Sequence, residues 1–268
     1  MAQIGVLIIH GMGDQSENFA DEFINRLKQQ LGPQSAAVAF EACFWADVLQ
    51  HHQDQIWQRV KRGGSITWQG VRHWLLSAFG DPPAYLSGFF KLGHPVYQLV
   101  HARILASLLH LEDQLDPSGG RPLVVLAHSL GSVIICNYIW DEHKHPDKGK
   151  SPFQRTDSLT KLITYGSNIP LFLPPVRPVT CIQFPSPEIP APLRPHARWI
   201  NFYAPSDLLG FPLGALWDDA RGTVIEDRSM HPGWWPASRT PYAHLLYEKD
   251  KEFLRQVVGE LRTLTGGR

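Results

Sequence analysis

Apolar residues arrive along this chain in short unbroken runs, and several runs are followed by stretches in which they recur every three or four positions. Ile4-Gly5-Val6-Leu7-Ile8-Ile9 is the first run, short and β-branched enough to predict a buried strand. From Ser16 to Leu31 the positions Phe19, Phe23, Ile24, Leu27 and Leu31 fall on one face of a helix. A second strand is predicted over 37–44. The run Pro122-Leu123-Val124-Val125-Leu126-Ala127 predicts a third, which reaches Ser129 and leads directly into the helix-like stretch from Leu130. Further strands are predicted at Leu162-Ile163-Thr164-Tyr165, from Arg198 to Ala204 and at Thr223-Val224-Ile225. A closing amphipathic helix runs through Phe253, Leu254, Val257, Val258 and Leu261. No internal repeat and no low-complexity linker interrupts the pattern.

Two regions depart from this rhythm. Between the second and third strands the chain is long, and only its last part, Val96 to Leu115, has the pattern of a helix leading into the next strand. Residues 46–95 are predicted to form a helical insertion or lid carrying Trp57, Trp68, Trp74, Phe79, Tyr85, Phe89 and Phe90. Those aromatics are expected to build a small core of their own rather than a stacking surface for a ligand. Trp45 and Asp47, just past a strand end, either face a site or belong to a turn. The prolines crowded into residues 170–195 forbid a helix and predict a short, stiff flap. The whole, 268 residues long, is expected to be one domain spanning 1–268.

The most informative segment is Ala127-His128-Ser129-Leu130-Gly131. A sharp strand-to-helix turn needs small residues two before and two after its centre, because strand and helix nearly touch there. Ala127 and Gly131 meet that demand. Such a turn holds its serine in a strained conformation with the hydroxyl proud of the sheet edge, the geometry of a nucleophile elbow. The alternative is an ordinary junction in which Ser129 caps the helix. The first strand ends in His10-Gly11-Met12-Gly13-Asp14, whose glycines let the backbone approach a substrate. A phosphate-cradling loop fits poorly, since the third glycine of a dinucleotide fingerprint and the Lys-Ser/Thr of a nucleotide loop are missing.

With a strand ending in His10-Gly11 and an elbow at Ser129, the chain resembles the α/β-hydrolase superfamily. The resemblance implies a shortened α/β-hydrolase fold without the usual first two strands: about six mostly parallel strands, helices on both faces, and an aromatic-rich insertion before the nucleophile strand. It implies an oxyanion hole from the N–H groups of Met12 and Leu130, and a triad in the chain order Ser129, Asp207, His244. Asp207 follows the strand ending at Ala204. Asp218, Asp219 and Asp227 compete with it, Asp227 being the strongest rival because it follows the strand at 223–225. The family's other acid position falls on Tyr165-Gly166-Ser167-Asn168 and carries no carboxylate. His244 opens the last amphipathic stretch, with His231 as the runner-up. His10, Gly11, Trp45 and His128 are expected to touch substrate. Trp234 and Trp235 either wall the pocket or join the core.

The chemistry these residues imply is that of a serine hydrolase acting on a carboxylester or thioester through an acyl-enzyme. Acyl transfer to an acceptor other than water, or a non-catalytic binding module on the same fold, stays open. No metal or organic cofactor is expected, since no His-Glu-x-x-His or paired-cysteine spacing occurs. Twenty-five Lys and Arg balance 25 Asp and Glu, and no basic block stands out, which argues against nucleic acid as a partner. The three cysteines, Cys43, Cys136 and Cys181, do not form a disulfide framework. The N-terminal apolar run is too short for a signal sequence or membrane span and lacks a basic flank, so a cytoplasmic protein without an integral membrane segment is expected. The partner is a small acyl ester or thioester, and oligomeric state is left open.

Overall fold

The computed structural model describes residues 1–11, 15–48, 95–118, 120–173, 179–217 and 222–265. Its centre is a sheet of six strands: β1 (Ile4–Ile9), β2 (Val38–Cys43), β3 (Leu123–His128), β4 (Leu159–Tyr165), β5 (Arg198–Tyr203) and β6 (Ile225–Ser229). Their spatial order is β2-β1-β3-β4-β5-β6, and every pair is parallel. The long helices are α1 (Asp21–Leu31), α2 (Pro95–Asp113), α3 (Leu130–Lys144) and α4 (Lys251–Thr265). The fold is therefore of the α/β class, consistent with a shortened α/β-hydrolase-like arrangement.

The period-2 alternation of side chains along each strand divides the core between two faces. Ile4, Val6, Ile8, Val124, Leu126, Ile163, Ile200 and Phe202 pack with Phe23 and Leu27 of α1 and with Phe253, Val257 and Leu261 of α4. Leu7, Ile9, Val125, Leu162 and Trp199 pack on the opposite side with Val100, Ile104 and Leu108 of α2 and with Val133, Ile134 and Tyr138 of α3. Because helices cover both faces, the inner strands are buried on both sides and most of their positions are apolar. β1 is buried throughout.

Where the sequence pattern and the structure differ, pairing supplies the reason. β4 starts at Leu159, earlier than the apolar run, and contains the buried Lys161. Its ammonium donates to Glu260 of α4 at 2.9 Å, so a charged residue is accommodated inside a central strand. β6 begins at Ile225 and continues through Glu226, Asp227, Arg228 and Ser229 rather than ending at Ile225. It is an edge strand, held in register by β5 from Trp199↔Ile225 to Tyr203↔Ser229, and an edge tolerates charge that an inner strand does not. α1 begins at Asp21, after turns that occupy the residues immediately before it. Within the flap region, Cys181, Phe184 and Leu193 are buried, and the Phe184 ring meets Trp199 edge-on at 6.3 Å. All but the ends of the predicted insertion at 46–95, with its aromatics, lies outside the described residues. No helix among the described residues is long and apolar enough to cross a membrane.

The strand order reverses between β1 and β3. In open α/β sheets the carboxyl ends of the two strands at such a switch frame a crevice. Here that end brings His10 and Gly11 beside Ser129. The approach is close: a Cβ on Gly131 would lie 2.6 Å from the carbonyl oxygen of His10 and 2.7 Å from that of Ile9. Both are backbone atoms of a buried strand and have nowhere to go. Gly131→Ala is thus expected to destabilise the protein by about 1–3 kcal/mol. Urea denaturation checks this, and an unchanged midpoint would contradict it.

Candidate active site

Ser129 sits between β3 and α3 with φ +51° and ψ −123°. A positive φ costs a non-glycine residue about 1–3 kcal/mol and persists only where neighbours enforce it. Two contacts on its main chain do so, one of them braced by a third. The Ser129 N–H donates to the Tyr165 carbonyl at 3.1 Å, the Ser132 hydroxyl donates to the Ser129 carbonyl, and Ser132 Oγ is in turn 2.8 Å from Ser167 Oγ. The Ser129 side chain makes no capping bond to α3, so the helix-cap alternative does not describe this serine. Its Oγ is instead 2.9 Å from His244 Nε2.

His244 lies in a short 3-10 turn, Pro241–Leu245, ahead of α4. Its Nδ1 is 2.9 Å and 3.0 Å from the two carboxylate oxygens of Asp207, which follows β5. Asp207 Oδ2 also accepts from the Tyr247 hydroxyl at 3.0 Å, and Oδ1 from the Leu209 N–H at 2.9 Å. Burial pushes the Asp207 carboxyl up, but the hydrogen bonds from His244, Leu209 and Tyr247 outweigh it and hold the group below the usual carboxylate range. An ionised Asp207 fixes the proton of His244 on Nδ1 and leaves Nε2 as an acceptor facing the serine hydroxyl. Ser129, His244 and Asp207 are all buried, with Ser129 only 1% exposed.

The structure thus brings Ser129 and Asp207, which follow β3 and β5, together with His244 from the turn ahead of α4. The rivals lie elsewhere. Asp227 is within β6, and its carboxylate accepts from the backbone N–H groups of Leu213 and Gly214 and from Asn201 Nδ2 at 2.7 Å. That set of donors anchors a loop and does not reach His244. His231 is exposed. Asp218 and Asp219 lie outside the described residues, as does Met12. Leu130 opens α3, so its N–H has no acceptor within the helix and is free to point at a bound group.

The residues expected to touch substrate divide differently. Gly11 backs directly onto the serine, since a Cβ there would lie 2.7 Å from Ser129 Cβ. His10 uses both ring nitrogens on the fold. Nδ1–H donates to the Gly11 carbonyl at 2.6 Å, and Nε2 accepts from the Trp45 N–H at 3.2 Å. Trp45 stacks on the His10 ring at 4.8 Å and donates its indole N–H to the His10 carbonyl, which makes it a brace for the β1 end. Asp47 pairs with Arg103 of α2. His128 donates from Nε2 to the His244 carbonyl at 2.9 Å and stacks on Tyr165, so it holds the backbone of the proposed base. Trp234 and Trp235 are 66% and 77% exposed and do not join the core.

Sequence reasoning passed over two residues. Tyr247 is one helical turn past His244, a spacing that could have suggested contact with the same acid. Asn168 stands where the resemblance would allow an acid and carries none, yet its side-chain nitrogen is 3.4 Å from Ser129 Oγ. A small cleft of about 110 Å³ borders His244, His128 and Tyr247 but not Ser129. A larger cavity of about 780 Å³ lies at the far end of α3, lined by Trp140, His143, Arg155 and Asp157, roughly 20 Å along the helix from the serine. Among the described residues no group of three or more His, Cys, Asp or Glu is placed to hold a metal ion. In comparisons with known proteins, the chain matches no protein-family model and no curated protein.

Two histidines beside the site, His10 buried and His128 partly buried, give it a pH signature. Burial pushes the His10 imidazole down from 6.5 to about 4, and burial together with the neighbouring His244 pushes that of His128 down to about 3. Both are neutral when folded, whereas in the unfolded chain they titrate near 6.5. Their contribution to stability is therefore complete above pH 6.5 and is lost as the pH falls toward 4. Each removes up to about 1.4 kcal/mol per pH unit in that window. Urea denaturation at a series of pH values should show this loss. Constant stability from about pH 7 down to about pH 4.5 would contradict it.

Proposed function

We propose that this protein is a serine hydrolase of the α/β-hydrolase type that cleaves a carboxylester or thioester through an acyl-enzyme. The observation that carries the proposal is the contact of Ser129 Oγ with His244 Nε2 at 2.9 Å while Asp207 occupies Nδ1. An ordinary serine hydroxyl is a weak nucleophile, and a base within hydrogen-bond reach that is itself oriented by a carboxylate is what activates it.

In the proposed cycle Ser129 Oγ bonds to the carbonyl carbon as its proton passes to His244 Nε2. The π pair moves onto the carbonyl oxygen, and Asp207 stabilises the imidazolium without taking its proton. The oxyanion is received by the Leu130 N–H and, by the family pattern, by that of Met12. Each such donor is worth about 10²–10³ in rate in a dry site. Collapse of the intermediate expels the alkoxide or thiolate, which takes the proton from His244. Water, deprotonated by His244, then attacks the acyl-enzyme, and the second intermediate releases the acid as Ser129 Oγ takes its proton back from His244. The buried site favours these electrostatic interactions.

Acyl transfer to an acceptor other than water would use the same residues, with an alcohol, amine or thiol in the place of water. A purely binding role would leave the strained Ser129 and its alignment with His244 and Asp207 without a use. None of Cys43, Cys136 and Cys181 is in a disulfide, which fits the reducing cytoplasm as the site of action.

Incubation with a fluorophosphonate followed by intact-mass measurement tests the proposal. A single adduct is expected on the wild type and none on Ser129→Ala. His244→Ala and Asp207→Asn should slow labelling by about 10²–10⁴-fold, the latter because Asn no longer enforces the Nδ1–H tautomer. Folded wild type that takes no label, or a label that survives Ser129→Ala, would overturn the reading.

A further inference from the structure

Asn168 is fully buried at the carboxyl end of β4 and is not explained by packing. Its Nδ2 donates to Ser129 Oγ at 3.4 Å, while its Oδ1 is buried with no hydrogen-bond partner. Leaving an amide oxygen unpaired in the interior costs about 1–3 kcal/mol, and an apolar side chain of the same size would avoid that cost. The main chain here is already fixed. The Asn168 carbonyl accepts from the Leu171 N–H, and the preceding Ser167 is held by Ser132. Structure alone therefore has little use for the amide, and an unsatisfied buried group beside a reactive atom points to function.

The geometry around Oγ says what that function is. A serine hydroxyl has one proton and two lone pairs. His244 Nε2 takes the proton on one side, and Asn168 Nδ2–H faces the oxygen on another. We propose that Asn168 is a catalytic side-chain donor to the reacting centre, supplementing the backbone oxyanion hole; this rests on the serine-hydrolase reading above. Before attack, the amide N–H lies on a lone pair of Ser129 Oγ and stabilises the negative charge that develops as the proton leaves. Once the bond from Oγ to the carbonyl carbon has formed, Oγ is an ether-like oxygen of low charge. The new anion sits two bonds away, and the same amide donates to it. No proton is transferred by Asn168, so its contribution is electrostatic. It also explains why this position carries an amide: a carboxylate 3.4 Å from Oγ would repel the developing oxyanion.

The test measures phosphonylation by a fluorophosphonate and kcat and KM for p-nitrophenyl butyrate in the wild type, Asn168→Ala and Asn168→Asp, with Tm as the check on folding. Asn168→Ala should lower both kcat and the phosphonylation rate by about 10²-fold with little change in KM. Asn168→Asp should lose more near pH 8 than near pH 5 relative to the wild type, because the protonated carboxyl is again a donor and the ionised one is repulsive. A packing defect would give a loss that does not depend on pH. If Asn168→Ala does not fold, Asn168→Asp, which matches the native shape, carries the test. Failure of both to fold would mark a structural residue and overturn the proposal. Folded variants that react at the wild-type rate would overturn it too. A wild type that takes no phosphonate would instead overturn the serine-hydrolase reading itself.

Discussion

Held between Asp207 and Ser129, the His244 imidazole joins chain segments that follow β3, β5 and the last turns before α4. A carboxylate is costly to bury, and Asp207 is tolerated because His244, Tyr247 and the Leu209 N–H each donate to it. The same bonds settle which nitrogen of the imidazole carries the proton. His128 in turn fixes the His244 backbone, through a hydrogen bond that needs a proton on His128 Nε2. Remove the carboxylate, and the ring has no reason to present an acceptor to the serine.

The sheet makes this meeting possible. Six parallel strands place all their carboxyl ends on one edge, so residues scattered over more than a hundred positions emerge side by side. The reversal of order between β1 and β3 adds the close approach of His10 and Gly11 to the turn at Ser129 and Gly131. Two absent side chains govern the spacing: Gly131 lets α3 rest against the carbonyls of Ile9 and His10, and Gly11 lets β1 end against Ser129. The strain at Ser129 is balanced by bonds from its own N–H and to its own carbonyl, which leaves the hydroxyl free for other contacts.

Much of this was legible in the sequence because the signals are local. Buried parallel strands declare themselves as apolar runs, and an elbow needs small residues at fixed offsets around its serine. Asp207 and His244 were legible only through chain order, since Ser-Asp after proline and thirteen histidines carry little information alone. The failures share a physical cause: they depend on partners distant in sequence. Lys161 broke an apolar run because its ion-pair partner, Glu260, is on α4. Asp227 seemed to follow a strand because the edge strand β6 draws its register from β5 rather than from apolar residues of its own. The stacking and hydrogen bonds between His10 and Trp45 at the end of β1 likewise join residues 35 positions apart, and no local pattern announces them. Asn168 has no motif that reports where its amide points.

What distinguishes the proposed chemistry from a well-packed polar cluster is the state of one proton. Nitrogen-15 NMR of the His244 ring at neutral pH reads that state directly, because protonated and unprotonated imidazole nitrogens resonate far apart. The arrangement described here requires the proton on Nδ1 and an unprotonated Nε2 in the wild type, with the Nδ1–H preference lost in Asp207→Asn. A wild-type His244 that carries its proton on Nε2, or that averages freely between tautomers, would contradict the account at its centre.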